Sequence, residues 1–153
     1  MMSEEALLFR QHIEKLMGQV FALVQACPTG RVTTYGWIAK ALGYPRGARI
    51  IGFIMHEAPE GVPAHRVVNS KGELTGSRAF GQIGRMRELL EKEGIIFSSG
   101  DHVNLTRYGW NPEYELNEAE RQQALEAANN IPVEANARTL HLMQSDSASP
   151  FRA

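Results

Sequence analysis

The chain has 153 residues, 43% of them apolar and 22% charged, with 14 Gly and 7 Pro, a globular composition that excludes a collagenous or wholly disordered chain. No apolar run approaches the roughly 18 residues of a membrane span, MMSEEALLFRQH lacks the basic start and unbroken apolar stretch of a secretory signal, and the single cysteine, Cys27, excludes an intramolecular disulfide and an all-cysteine metal site. A cytoplasmic protein without metal or other cofactor is expected, and the formal net charge of −1, taken alone, argues against a nucleic-acid partner.

The distribution of charge argues the other way. Residues 28–87 hold nine Lys and Arg against Glu57, Glu60 and Glu73, a net +6. Residues 1–27, 88–110 and 111–153 stand at −1, −2 and −4. A basic middle between acidic ends suggests a polyanion partner for the middle.

From about Glu5 to Ala26 the apolar residues Leu8, Ile13, Leu16, Val20, Leu23 and Val24 share one helical face. Pro28 ends that helix, and Thr29-Gly30 makes a turn. After an extended link at Arg31-Val32-Thr33, Thr33 or Thr34 caps a short helix running to about Leu42, which Gly43 stops. A second helix is predicted from Pro45 or Arg46 to Glu57, with Pro at its favoured first turn. Two short helices joined by a tight turn containing Gly make a helix-turn-helix. On the second helix Gly47, Ala48, Ile51, Ile54 and Met55 form a packing face, and Arg46, Arg49, Gly52, Phe53 and His56 form the other. That second face has two cations, an aromatic ring and a glycine that permits close approach of a ligand backbone.

After a loop from Ala58 to Arg66, Val67-Val68, Asn69-Ser70-Lys71-Gly72 and Glu73-Leu74-Thr75 read as a β-hairpin. Residues from about Ile83 to Glu93 read as a helix stopped by Gly94, and Ile95–Phe97 with His102–Leu105 as a final short pair. The fold class expected is mainly α, a winged helix-turn-helix with a small hairpin wing, over residues 5–110. From Asn111 the chain is rich in Glu, Ala, Asn, Gln and Ser. Leu116 to Asn129 can be helical, but the apolar surface is too small for independent folding, so Ile131–Ala153 is expected to be disordered. Three roles are open to this acidic tail: contact with a partner, competition with DNA for the basic face, or none.

Pro63-Ala64-His65-Arg66-Val67-Val68, preceded by Gly30-Arg31-Val32-Thr33-Thr34-Tyr35-Gly36, resembles the DNA-binding domain of the O6-alkylguanine-DNA alkyltransferases. Ala48-Arg49 followed by Ile50-Ile51-Gly52, and Leu89-Leu90-Glu91-Lys92-Glu93-Gly94, match the same family in order and approximate spacing. The resemblance covers roughly residues 10–110. In that family the first motif reads Pro-Cys-His-Arg, and the cysteine takes the alkyl group from the damaged base. Here the position is Ala64. Displacement at an alkyl carbon needs a thiolate about 3–3.5 Å away, and a methyl group has no lone pair for neighbours to activate. No catalytic residue is therefore expected: His65 and Glu93 match the residues that help deprotonate the cysteine, but here they and Arg66 read better as scaffold. Cys27, at the end of the first helix and remote from the motif loop in the resembling fold, reads as a small buried apolar residue.

Retention of the other blocks without the cysteine resembles the alkyltransferase-like proteins, which bind alkylated DNA without repairing it and present it to nucleotide excision repair; many carry Trp at this position. The resemblance implies a monomer on double-stranded DNA containing O6-alkylguanine, with the second helix in the minor groove and the damaged nucleotide flipped. Arg49 matches the intercalating arginine and Tyr35 the tyrosine that crowds the 3′ phosphate. Ala48 and Gly52 let the helix approach closely, Phe53 supports a widened groove, and Thr33, Thr34 and Lys71 are candidate phosphate contacts. The lesion pocket would be lined by Met55, Pro63, Ala64, His65, Val67 and the loop Gly76–Gly81, with Arg78 set against the flipped base. Two other readings remain: a residual alkyltransferase using another acceptor, and a winged-helix transcription regulator, for which Arg46, Arg49, Phe53 and His56 are a thin base-reading set. A glycosylase-like hydrolase has no suitably spaced acid or lysine in its favour.

Overall fold

Helix α1, Glu4–Ala26, is the central strut of the computed structural model, which describes residues 2–75, 84–98 and 100–146. The Ser3 side chain accepts from the Ala6 N–H, and Glu4 and Glu5 sit in the first turn, where the helix dipole favours them. Ile13, Leu16, Met17, Val20, Phe21, Leu23 and Val24 are all buried. Pro28, with no N–H to continue the ladder, follows the cap at Cys27.

Strand β1, Thr33–Thr34, leads directly into α2, Tyr35–Ala41, with the Thr34 hydroxyl accepting from Trp37 N. Gly43, at φ +91°, turns the chain out of α2. Helix α3, Ala48–Met55, packs on α2 and α1. It starts later than Pro45, because Tyr44–Gly47 closes as a turn through Gly47 N–H to the Tyr44 carbonyl. The helix-turn-helix is therefore present with a shorter second helix.

The hairpin expected around Asn69–Gly72 is paired differently. A 3₁₀ turn, Ala64–Arg66, runs into β2, Val67–Val68, which lies parallel to β1 with Thr33 opposite Val67 and Thr34 opposite Val68. The turn itself forms, closed by Gly72 N–H to the Asn69 carbonyl, but Glu73 bridges to His102 rather than to β2. The physical reason is burial: Val67 and Val68 point into two different clusters, so both faces of β2 are covered and its free pairing goes to β1.

Helix α4, Arg85–Lys92, packs Met86 and Leu90 against Val32, Val68, Leu74, Ile95, Val103 and Tyr108. Ile95–Phe97 and His102–Leu105 do not form the expected strand pair; Leu105–Tyr108 is the short helix α5, and Val32 instead bridges Gly109. Gly72, at φ +82°, lies so close to Val103 that a Cβ would sit 2.2 Å from its carbonyl oxygen.

Beyond α5 come α6, Pro112–Glu115, and α7, Glu118–Ala127, the latter opened by an Asn117–Glu120 capping box. Disorder from Ile131 onward is overturned for residues 131–146. Helix α8, Ala137–Ser145, follows an Asn136 cap and packs against α1 and α3. Arg10 donates to the Ala135 carbonyl at 2.6 Å, and Glu14 accepts from Ala135 N at 2.9 Å. Ala135, Thr139 and Met143 are buried, and the two apolar residues join the core of α1 and α3. The segment lacks a core of its own and borrows one. Among the described residues no helix is long and apolar enough to cross a membrane, and no group of His, Cys, Asp and Glu could hold a metal ion.

Candidate nucleic-acid interface

The parallel pairing of β1 with β2 carries the turn after β2 up to the exposed face of α2 and α3. Between them lies an open cavity of about 440 Å³. Tyr35 and Gly36 line it from α2, Ala48, Arg49, Gly52, Phe53 and His56 from α3, and Asn69, Ser70 and Thr75 from the turn. Five of the residues expected at a DNA surface, Tyr35, Ala48, Arg49, Gly52 and Phe53, are thus brought to one place. Gly52 has no heavy atom within 4 Å of where a Cβ would stand, so that part of α3 is bare backbone open to an incoming surface. The Arg49 side chain is 75% exposed. Lys71 stands exposed on the turn, its N–H donating to Asn69 Oδ1.

Thr33 and Thr34 do not belong to this surface. Both are buried: the Thr34 hydroxyl caps α2, and Thr33 Oγ1 is enclosed without a hydrogen-bond partner among the described residues. Phosphate contact by these side chains is corrected, because both threonines are enclosed by the fold, at 0% and 2% exposure. The Tyr35 phenol is pushed up by burial, partly offset by a hydrogen bond with Thr75.

The residues expected to line a lesion pocket are divided. Val67 is 1% exposed and Met55 8%, and both belong to the hydrophobic core. Pro63, Ala64 and His65 are half-buried beside it. None of the five lines the α3 cavity. Arg78 and the loop Gly76–Gly81 lie outside the described residues.

His65 and Arg66 converge on Glu93. Its carboxylate accepts from His65 Nε2 at 2.5 Å, from Arg66 Nε at 3.0 and 3.2 Å, from Arg66 Nη2 at 3.0 Å and from Gly30 N at 2.9 Å. Burial opposes ionisation here, but the bonds from Arg66, His65 and Gly30 outweigh it and hold the carboxyl at about 2. The tie joins the Gly30 turn, the Ala64–Arg66 turn and the end of α4. Arg66 reaches further, donating to the Cys27 carbonyl at 2.9 Å and to Thr29 Oγ1 at 3.0 Å. Cys27 is therefore not remote from the motif loop, since one guanidinium spans the gap. It is nevertheless sealed: burial pushes its thiol up to about 12, against the opposing pull of Arg66 and Arg31.

The segment charge of +6 overstates what faces outward. Arg31 pairs with Glu115, Arg66 with Glu93, Arg85 with Glu88, and Arg87 with Glu91 and Asp101. Arg31 also donates to the Tyr108 and Gly109 carbonyls, a structural role. Lys40, Arg46 and Lys71 are exposed and form no ion pair among the described residues.

Sequence reasoning missed Gly36, Asn69, Ser70 and Thr75 as cavity residues. The turn Asn69-Ser70-Lys71-Gly72 was visible as a turn, but its placement opposite α3 depends on the parallel strand pairing, which two-residue strands do not advertise.

Residues 15–95 match the family described as the DNA-binding domain of 6-O-methylguanine DNA methyltransferase. A DNA base-flipping protein of Escherichia coli (strain K12) is 43% identical over 97 residues, covering 61% of this chain and 72% of that one. Alkyltransferase-like protein 1 of Schizosaccharomyces pombe is 37% identical over 106 residues, covering 65% of this chain and 98% of that one. The crystal structure of S. pombe Atl1 in complex with damaged DNA containing O6-carboxymethylguanine matches with a TM-score of 0.57 and 36% identity, over 63% of this chain and 95% of that one.

Proposed function

The chain belongs to the family of the 6-O-methylguanine DNA methyltransferase DNA-binding domain, and we propose that it binds duplex DNA containing O6-alkylguanine, flips the damaged nucleotide and transfers no alkyl group. The observation that carries the second half is Ala64 in Pro63-Ala64-His65-Arg66, where a transferring relative needs cysteine. The first half is supported by the face of α3, with Arg49 and Phe53 flanking the bare backbone at Gly52.

Flipping costs a few kcal/mol in unstacking and unpairing. O6-alkylation removes the N1 proton and changes the acceptor used in pairing to cytosine, so the damaged guanine leaves the stack more cheaply than an intact one. Arg49 fills the vacated gap: its planar guanidinium stacks and hydrogen-bonds the orphaned base at the same time. Tyr35 crowds the 3′ phosphate, and Lys71 meets the backbone from the turn. The flipped base lodges near Pro63, Ala64 and His65, where the small Ala64 side chain leaves a roomy floor. Cys27 is no substitute acceptor, because a thiol held at about 12 is protonated at neutral pH. The protein acts as a cytoplasmic monomer, and the lesion so marked passes to nucleotide excision repair.

Titration of duplexes with and without O6-methylguanine tests binding, using wild type and Arg49→Ala. Equal affinity of both proteins for the lesion duplex would overturn the role of Arg49. Affinity that follows base sequence rather than lesion would favour a transcription regulator. Incubation with radiolabelled methylated DNA should leave the protein unlabelled; stoichiometric label on any residue would establish a transferase.

A further inference from the structure

Helix α8 lies outside the family-matched residues 15–95, yet it packs on α3 itself. Its own Thr139 and Met143 are buried, and the clamp of Arg10 and Glu14 on Ala135 fixes where it starts. Its C-terminal end therefore arrives at a set place, beside Arg49 and Phe53. There Leu142, Ser145 and Asp146 close a notch of about 350 Å³ with those two residues. Asp146 Oδ2 stands 3.7 Å from Arg49 Nη1. The carboxylate is largely enclosed, at 8% exposure of its side chain, while the guanidinium is open. The Asp146 N–H donates to the Leu142 carbonyl, so the carboxylate is held at the last turn of α8.

From this juxtaposition we infer that the end of α8 is an autoinhibitory latch, in which Asp146 holds Arg49 and places a negative charge at the edge of the DNA-facing helix. The inference rests on α3 being the helix that meets DNA. A guanidinium paired with Asp146 cannot also occupy a gap in the duplex, and a fixed carboxylate at the edge of α3 opposes the dense line of phosphates. Binding therefore requires the Asp146–Arg49 contact to open. The repulsion of phosphates is common to damaged and undamaged duplexes, whereas release of Arg49 falls on the duplex whose nucleotide is flipped: the latch lowers affinity for all DNA. The lesion duplex, with the larger favourable term, still opens it at concentrations where intact DNA does not.

The test uses the full chain and fluorescence anisotropy with two duplexes, one carrying O6-methylguanine, at low salt. Asp146→Asn should tighten binding to both by about threefold to tenfold, the scale of one exposed ion pair plus one anion removed from a polyanion surface. Asp146→Glu keeps the charge and should stay within about twofold of wild type. Glu126→Gln, which removes a charge from exposed α7, should also stay within about twofold. Hydrogen exchange on the wild type supplies a readout that needs no variant: the Asp146 amide should exchange faster when the lesion duplex is bound.

Unchanged affinity in Asp146→Asn, an equal gain in Glu126→Gln, or slower exchange at Asp146 on binding would each overturn the latch. Slower exchange would make α8 an added DNA contact instead. A wild-type protein that binds neither duplex would overturn the DNA-binding reading and the latch with it, whereas wild-type binding without an Asp146 effect removes the latch alone.

Discussion

Gly52→Ala should move stability and DNA affinity in opposite directions. Gly52 lies inside α3, at a position where an added Cβ has no heavy atom within 4 Å and the backbone is not left-handed. The substitution therefore meets no steric penalty in the free protein. Alanine is better than glycine in a helix interior by about 0.5–1 kcal/mol, because it restricts the unfolded chain. For a chain of this size that corresponds to a melting temperature roughly 1–4 °C higher. In the complex the same methyl would stand where α3 comes closest to the groove wall. Forcing a methyl into a packed contact costs about 1–3 kcal/mol, roughly five- to 150-fold in Kd. A thermal melt and an anisotropy titration with an O6-methylguanine duplex measure both quantities on one preparation. Higher stability with unchanged affinity would refute the reasoning, since the Gly52 surface could not then be the surface of close approach.

Glu93→Gln should lower stability by about 3 kcal/mol at neutral pH, because it leaves the enclosed Arg66 guanidinium without its counter-charge; a melting temperature roughly 6–12 °C lower is the expected reading. The Glu93 carboxyl lies below its ordinary value, at about 2 against 4.5, so its stabilisation is present above the unfolded value and is lost as pH falls through the folded one. The gap between wild type and variant should accordingly narrow from about pH 4.5 downward, and a gap constant to pH 2.5 would count against the assignment. Gly72→Ala should cost more than about 2 kcal/mol, since the residue combines φ +82° with a Cβ position 2.2 Å from the Val103 carbonyl oxygen; denaturant unfolding reads this directly. Met143→Ala should destabilise the whole protein by about 2–5 kcal/mol in a single cooperative transition, because Met143 fills the core shared with α1 and α3; an early, separate loss of α8 signal would show that the tail is energetically independent. Lesion-duplex affinity should fall with salt at a slope near −3 to −5 in log–log form, about 0.9 per neutralised phosphate, because most of the counted arginines are already paired within the fold.

Periodicity placed α1 and α2 well, since long amphipathic runs, Thr34 and Pro28 carry strong local signals. It placed α3 less well at its start, where Pro45 suggested a first turn and the chain instead closed a turn at Gly47. Pairing of β1 with β2 was not legible: strands of two residues have no period to read, and their partner is set by which side of each valine is buried. Thr33, expected as a phosphate contact, and Val67, expected to line a pocket, are both buried, which no local pattern in two-residue strands reveals. Arg49, Gly52 and Phe53 were found together because three residues on one helix share a face by geometry alone. Their neighbours Asn69, Ser70 and Thr75 come from across the fold, where no local spacing links them to α3. The tail was misjudged because composition measures whether a segment can fold alone, and α8 folds on apolar surface that α1 and α3 supply.

The tie at Glu93 bears on how chains like this one are classified. A single carboxylate gathers the turn before β1, the motif loop and the end of α4, and it draws His65 and Arg66 into the same job. Any chain with this architecture has a mechanical reason to keep all three side chains, whether or not it carries out chemistry. Their presence is consequently uninformative about turnover, because the same three side chains hold two turns and a helix end together.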